Sequence, residues 1–184
     1  MLLMTTNVGK KRMKPARTVA LVGIMAATME CGKLALSFLP NIEILTLLHA
    51  LYGYVFGIWG AVASLVFVCI EPLIYGFGTW VPSYFLYWPF VSLLFTLLYR
   101  LKIKNRWIIT AVAVILTVWF GVLTSLVEIG LLSGFFDDFF ARFSVYYLRG
   151  IPFYIAEIAT NAVIFPLLFR YLADKLLRVK GTFL

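Results

Sequence analysis

The chain has 184 residues, of which 63% are hydrophobic and 13% charged, with a mean hydropathy of +0.99. Soluble domains are about half apolar and a quarter charged, so this composition excludes a soluble fold and indicates a polytopic helical membrane protein. The net charge of +8 is not a nucleic-acid signal, because most of the 16 Lys and Arg gather at the ends of apolar stretches. They form three groups: Lys10, Lys11, Arg12, Lys14 and Arg17; Arg100, Lys102, Lys104 and Arg106; and Arg170, Lys175, Arg178 and Lys180. Such groups mark the cytoplasmic ends of spans and secondarily attract anionic lipid heads.

At about 20 apolar residues per crossing, the length accommodates about six spans. Residues 1–184 are expected to form a single six-helix membrane domain, with 1–15 as a basic cytoplasmic segment. Span 1 runs over about Ala16–Leu39 and stops at Pro40. Basic residues 10–17 followed by an apolar run resemble a signal peptide, but apolar character resumes past Lys33, so a retained first span is expected. Ala16, Ala20, Gly23, Ala27 and Cys31 form a stripe of small residues along it. Such a stripe lets another helix approach closely, in this chain or in another subunit.

Span 2 covers about Ile42–Phe56 and span 3 about Ala61–Tyr75, with a turn at Gly57–Gly60 between them. Fifteen residues reach only about 22 Å against a hydrocarbon core of about 30 Å. The pair is therefore expected as short tilted helices or as one re-entrant hairpin. Span 4 is about Val81–Leu101, span 5 about Trp107–Leu132, and span 6 about Tyr146–Ala173, interrupted at Pro152 and Pro166. A loop at Ser133–Arg142 precedes span 6. Six crossings place both termini and all three basic groups in the cytoplasm.

Glu30, Lys33, Glu43, His49, Glu71, Glu128, Arg149 and Glu157 lie within or beside the spans. Ionisable groups are costly in lipid and face a cavity or a partner. Counted from the outer span ends, Glu43 and His49 lie about 4 and 13 Å deep, and Glu71 and Glu128 about 8 and 9 Å. Lys33 and Glu30 lie about 10 and 15 Å deep, and Glu157 about 13–16 Å. All occupy the outer half, which fits an outward-opening pocket better than a through-going ion path.

Trp80, Tyr84, Tyr87 and Trp88 share one face of span 4 and either line that pocket or belong to an interfacial aromatic belt. Glu30 and Lys33, three apart, are expected to pair on one helix. The remaining acidic excess then favours a cationic or N–H-rich ligand. Cys31 and Cys69 are expected as small buried hydrophobes, and one His with no CxxC makes no metal set.

The segments "K-x-A-L-x-F-L-P-N-I-E" (Lys33–Glu43), "G-x-x-x-G" (Gly53–Gly57) and "G-F-G-T-W-x-x-S-Y" (Gly76–Tyr84), with the small-residue first helix, resemble the substrate-binding S components of energy-coupling factor (ECF) vitamin transporters. That resemblance implies a non-enzymatic, six-helix protein of the bacterial plasma membrane that captures a vitamin or precursor from outside. Two cytoplasmic ATPases and a transmembrane coupling subunit would supply the energy, the latter docking on Ala16, Ala20, Gly23 and Ala27.

The candidate substrate contacts are Lys33, Asn41, His49, Glu71, Trp80, Tyr84, Trp88, Glu128, Tyr146, Glu157 and Asn161. The acidic excess and the aromatics favour a hydroxymethylpyrimidine- or pyridoxine-like ring. A cobalamin-type S component is the alternative within the family, and an autonomous secondary transporter the alternative outside it. No cofactor is expected.

Overall fold

The computed structural model describes residues 15–39, 42–134 and 137–183. Pro40 and Asn41, and the basic residues Lys10–Lys14, lie outside the described residues. A chain in hydrocarbon must satisfy every backbone N–H and C=O internally, which favours helices. The regular structure of the described residues is accordingly all helical: α1 (Pro15–Leu36), α2 (Leu45–Phe56), α3 (Ile58–Tyr75), α4 (Trp80–Arg100), α5 (Arg106–Ser133), α6 (Phe139–Ile164) and α7 (Arg170–Phe183). A π-helical turn at Phe165–Phe169 joins α6 to α7 without a break.

Among the described residues, five helical runs are long and apolar enough to cross a membrane: α1, α3, α4, α5 and the run Phe139–Gly181. Their outward faces carry Val19, Leu73, Leu86, Ile115, Ile155 and Leu167, all exposed, as lipid contact requires. The protein is thus a multi-pass helical membrane protein. Cys31 and Cys69 belong to this exposed surface and are free thiols, not buried hydrophobes as the sequence suggested.

The short element is α2 alone. Its 12 residues span about 18 Å, yet only Leu48 and Phe56 are less than fully buried. A helix apolar all round belongs in an interior, and α2 packs against α1, α3, α4 and α7. Its closest approach is to α4. A Cβ on Gly53 would stand 2.1 Å from the Ser92 carbonyl oxygen, and Thr96 Oγ1 donates to the Gly53 carbonyl at 2.8 Å. The chain reverses at Gly57, whose φ of 64° suits a residue without Cβ. Because that turn is a single residue, α3 starts at Ile58 rather than near Ala61. Its 18 residues reach about 27 Å, so the expectation of a short third helix is corrected.

The last helix also departs from expectation. It begins at Phe139, so the loop after α5 is shorter than Ser133–Arg142, and Pro152 does not interrupt it. Pro166 lacks an N–H and its ring crowds the preceding turn. The π turn absorbs that defect and sets Phe165 and Phe169 in the core, stacked at 5.6 Å and 12°. Phe95 of α4 lies 6.0 and 5.5 Å from these two rings.

Candidate functional site

The polar residues of the sequence fall into two groups at the end of the bundle opposite Arg100–Arg106. The first is built by α1, the approach to α2, α3, α4 and α6. Lys33 of α1 donates to the Glu71 carboxylate of α3, whose side chain is 1% exposed. This corrects the expected Glu30–Lys33 pair: helix α3 packs on α1 and offers Lys33 a buried carboxylate across the interface. Glu30 is itself buried beside both. The Lys33 ammonium also lies 4.1 Å from the Tyr75 ring centre and 5.7 Å from that of Tyr84, within cation–π range. Tyr84 is in turn within electrostatic reach of Glu43, Glu71 and Glu157.

The aromatic face of α4 turns inward. Trp80 meets Tyr84 edge-on at 4.9 Å, and Tyr84 meets Trp88 edge-on at 5.7 Å. Tyr87 and Trp88 are 2% and 1% exposed and pack in the core, so they are not part of an interfacial belt. Trp88 stacks on His49 at 4.4 Å and 18°, and Phe67 of α3 closes the edge of the imidazole at 5.1 Å.

Beneath the stack, three hydrogen-bonding groups form a closed ring. Ser92 Oγ donates to the His49 carbonyl oxygen at 2.9 Å. Ser64 Oγ lies 2.7 Å from Ser92 Oγ and 3.0 Å from the Gly60 carbonyl oxygen. His49 Nδ1 lies 2.7 Å from Ser64 Oγ.

His49 Nε2, Trp88 Nε1 and Ser83 Oγ are buried without a hydrogen-bond partner among the described residues, and the buried Glu30 and Glu71 carboxyls lie against one another. Buried polar atoms are nearly always paired, and each unpaired one costs about 1–3 kcal/mol.

Asn161 sits deeper. Its Nδ2 donates to Thr117 Oγ1 at 2.9 Å, and its Oδ1 is a further buried atom without a partner among the described residues. Thr117 is eleven residues into α5, about 16 Å along the helix, so Asn161 lies near mid-bundle. Glu157, one turn away, is nearer the polar end.

The second group is a cleft of about 460 Å³ between α5 and α6. Glu128, Tyr146 and Arg149 line it together with Asp138 and Arg142. None of Lys33, His49, Glu71, Trp80, Tyr84 or Trp88 lines this cleft. The residues expected to share one pocket are thus separated, Glu128 and Tyr146 lining this cleft and the first group lying apart from it.

Asn41 lies outside the described residues. Sequence reasoning missed Ser64, Ser83, Ser92, Phe67 and Tyr75. The serines carried a faint signal, since lone hydroxyls inside apolar helices seek partners across helices. The aromatics carried none.

Ala16, Ala20, Gly23, Ala27 and Cys31 are all exposed, and a Cβ on Gly23 would meet nothing within 4 Å. The stripe does not pack on spans of this chain. No family model matches the chain, and comparison with curated proteins and with solved structures returns no match.

Proposed function

We propose that this chain is the membrane-embedded, substrate-binding S component of an ECF-type importer, and that it captures a vitamin or vitamin precursor from outside the cell. The observation that carries this reading is the pair of buried ring nitrogens without a partner among the described residues, His49 Nε2 and Trp88 Nε1, in one stack. His49 Nε2, able to donate or accept according to tautomer, and the donor Trp88 Nε1, among aromatic rings, suit a small nitrogen-containing ring. A hydroxymethylpyrimidine- or pyridoxine-like compound meets that description.

Three further features support the reading. The small-residue stripe of α1 faces outward, as docking on a transmembrane coupling subunit requires. The basic groups at residues 100–106 and 170–180 orient that end toward the cytoplasm, with both termini inside a bacterial plasma membrane. The polar groups then gather in the outer half, with no continuous charged path to the other side. In this scheme the chain is not an enzyme, and partner ATPases supply the energy.

The test is native mass spectrometry of the protein purified with its membrane partners. A co-purifying ring-containing small molecule, a second membrane subunit and ATPases are the expected result. Uptake driven by an ion gradient in vesicles holding this chain alone would instead make it an autonomous secondary transporter.

A further inference from the structure

The opposite end of the bundle carries two adjoining clefts that the proposed function does not use. One, of about 650 Å³, is lined by Arg100, Lys102, Lys104 and Arg170, with Asp174 as its acidic member. The other, of about 430 Å³, is lined by Lys104, Arg106 and Arg170 beside Pro166 and Leu167. Lys104 and Arg170 belong to both. Asp174 is partly engaged, 3.6 Å from Arg170, so cations outnumber acids in each cleft. Two cation-lined compartments sharing a wall suit two linked anionic groups.

The backbone adds an independent observation. Helix α4 ends with Lys102 N–H donating to the Tyr99 carbonyl at 3.0 Å and Ile103 N–H to the Leu98 carbonyl at 3.0 Å. This is a Schellman ending with Lys102 in the left-handed position, φ 58°. Glycine or asparagine is the usual residue there, and a lysine is held at an energetic cost. Strained positions of this kind gather at functional sites, and the side chain of this one lines the larger cleft.

The surroundings choose the source of the anion. Trp107, Leu101, Leu167 and Tyr171 are exposed at 66%, 60%, 68% and 61%, and Leu167 and Tyr171 line the smaller cleft. Aromatics of this kind sit at the membrane–water interface, and basic pockets between spans at the cytoplasmic face bind doubly charged head groups. We infer that the paired clefts around Lys102, Lys104 and Arg170 are a binding site for an anionic phospholipid carrying two phosphates. The two phosphates occupy the two compartments, and the acyl chains run down the apolar surface past Leu167.

The full-length protein in neutral detergent, offered equal amounts of cardiolipin, phosphatidylglycerol and phosphatidylcholine, tests this by native mass spectrometry. Cardiolipin should be retained in preference to phosphatidylglycerol, and both over phosphatidylcholine. Lys102→Gly should cut cardiolipin retention about fivefold while leaving the lipid-free unfolding temperature equal or higher, because glycine suits that backbone. Lys104→Gln should cut it by a similar factor. Equal retention of the three lipids, or unchanged retention in both variants, would overturn the site. Inorganic phosphate or pyrophosphate displacing cardiolipin at equal concentration would assign the clefts to a soluble anion and overturn the lipid. A fall in unfolding temperature of lipid-free Lys102→Gly would make Lys102 structural and remove the backbone argument.

Discussion

Removing the ammonium of Lys33 would leave the Glu71 carboxylate, 1% exposed, without its counter-charge. Breaking a buried pair by removing one partner costs about 3–5 kcal/mol, whereas replacing both by apolar groups of similar volume is often neutral. Lys33→Met alone is therefore expected to destabilise the protein by about 3 kcal/mol, and Lys33→Met with Glu71→Met to regain most of that loss. Unfolding of the single and double variants in mixed detergent measures the coupling, and additive effects would show that the pair is not linked. The members of this cluster were legible in the sequence, because a charge inside an apolar run is conspicuous. Their pairing was not. Spacing three along one helix favoured Glu30 as the partner of Lys33, and only the packing of α3 on α1 brings Glu71 closer. The hydrogen-bond partners of His49 were equally invisible, since Ser64 and Ser92 lie 15 and 43 residues further along the chain.

Helix α2 owes its position to the absence of a side chain at Gly53. A methyl group there would stand 2.1 Å from the Ser92 carbonyl oxygen, and backbone on both sides leaves nothing flexible to yield. Gly53→Ala is expected to cost about 3 kcal/mol, seen as a lower unfolding temperature. Gly23→Leu is the counterpart: nothing lies within 4 Å of its Cβ, so stability should change by less than about 0.5 kcal/mol, while co-purification with a membrane partner is lost. A destabilisation by Gly23→Leu matching that of Gly53→Ala would mean the α1 stripe packs internally. Helix existence was readable from apolar runs of sufficient length, and the ends of α3 and α5 from Gly76 and Gly134. The extent of the last helix was not. Pro152 and Pro166 read as breaks, but α6 runs on through Pro152 and a π turn rehouses the backbone groups displaced at Pro166. Likewise the shortness of α2 read as tilt or re-entry, when burial on nearly every side is what allows a short helix.

Two contacts tie the whole molecule together at its basic end. Tyr54 Oη donates to the Ile103 carbonyl at 3.1 Å, and Lys180 Nζ donates to the Val55 carbonyl at 2.6 Å. The C-terminus of α2, the α4–α5 loop and α7 are thereby fixed at one face, while the Lys33–Glu71 pair marks the other. Since Arg100, Lys102, Lys104 and Arg106 share the first face with Arg170, Lys175, Arg178 and Lys180, one orientation satisfies both groups at once. That orientation is tested by single cysteines in a background where Cys31 and Cys69 are alanine. Phe77, 85% exposed between α3 and α4, and Lys104, exposed between α4 and α5, report opposite faces. Phe77→Cys is expected to react with a membrane-impermeant maleimide on intact cells, and Lys104→Cys only after the membrane is opened. The reverse pattern would turn the polar cluster toward the cytoplasm. Capture of a solute from outside would then be untenable, because the groups that hold it would face the wrong compartment.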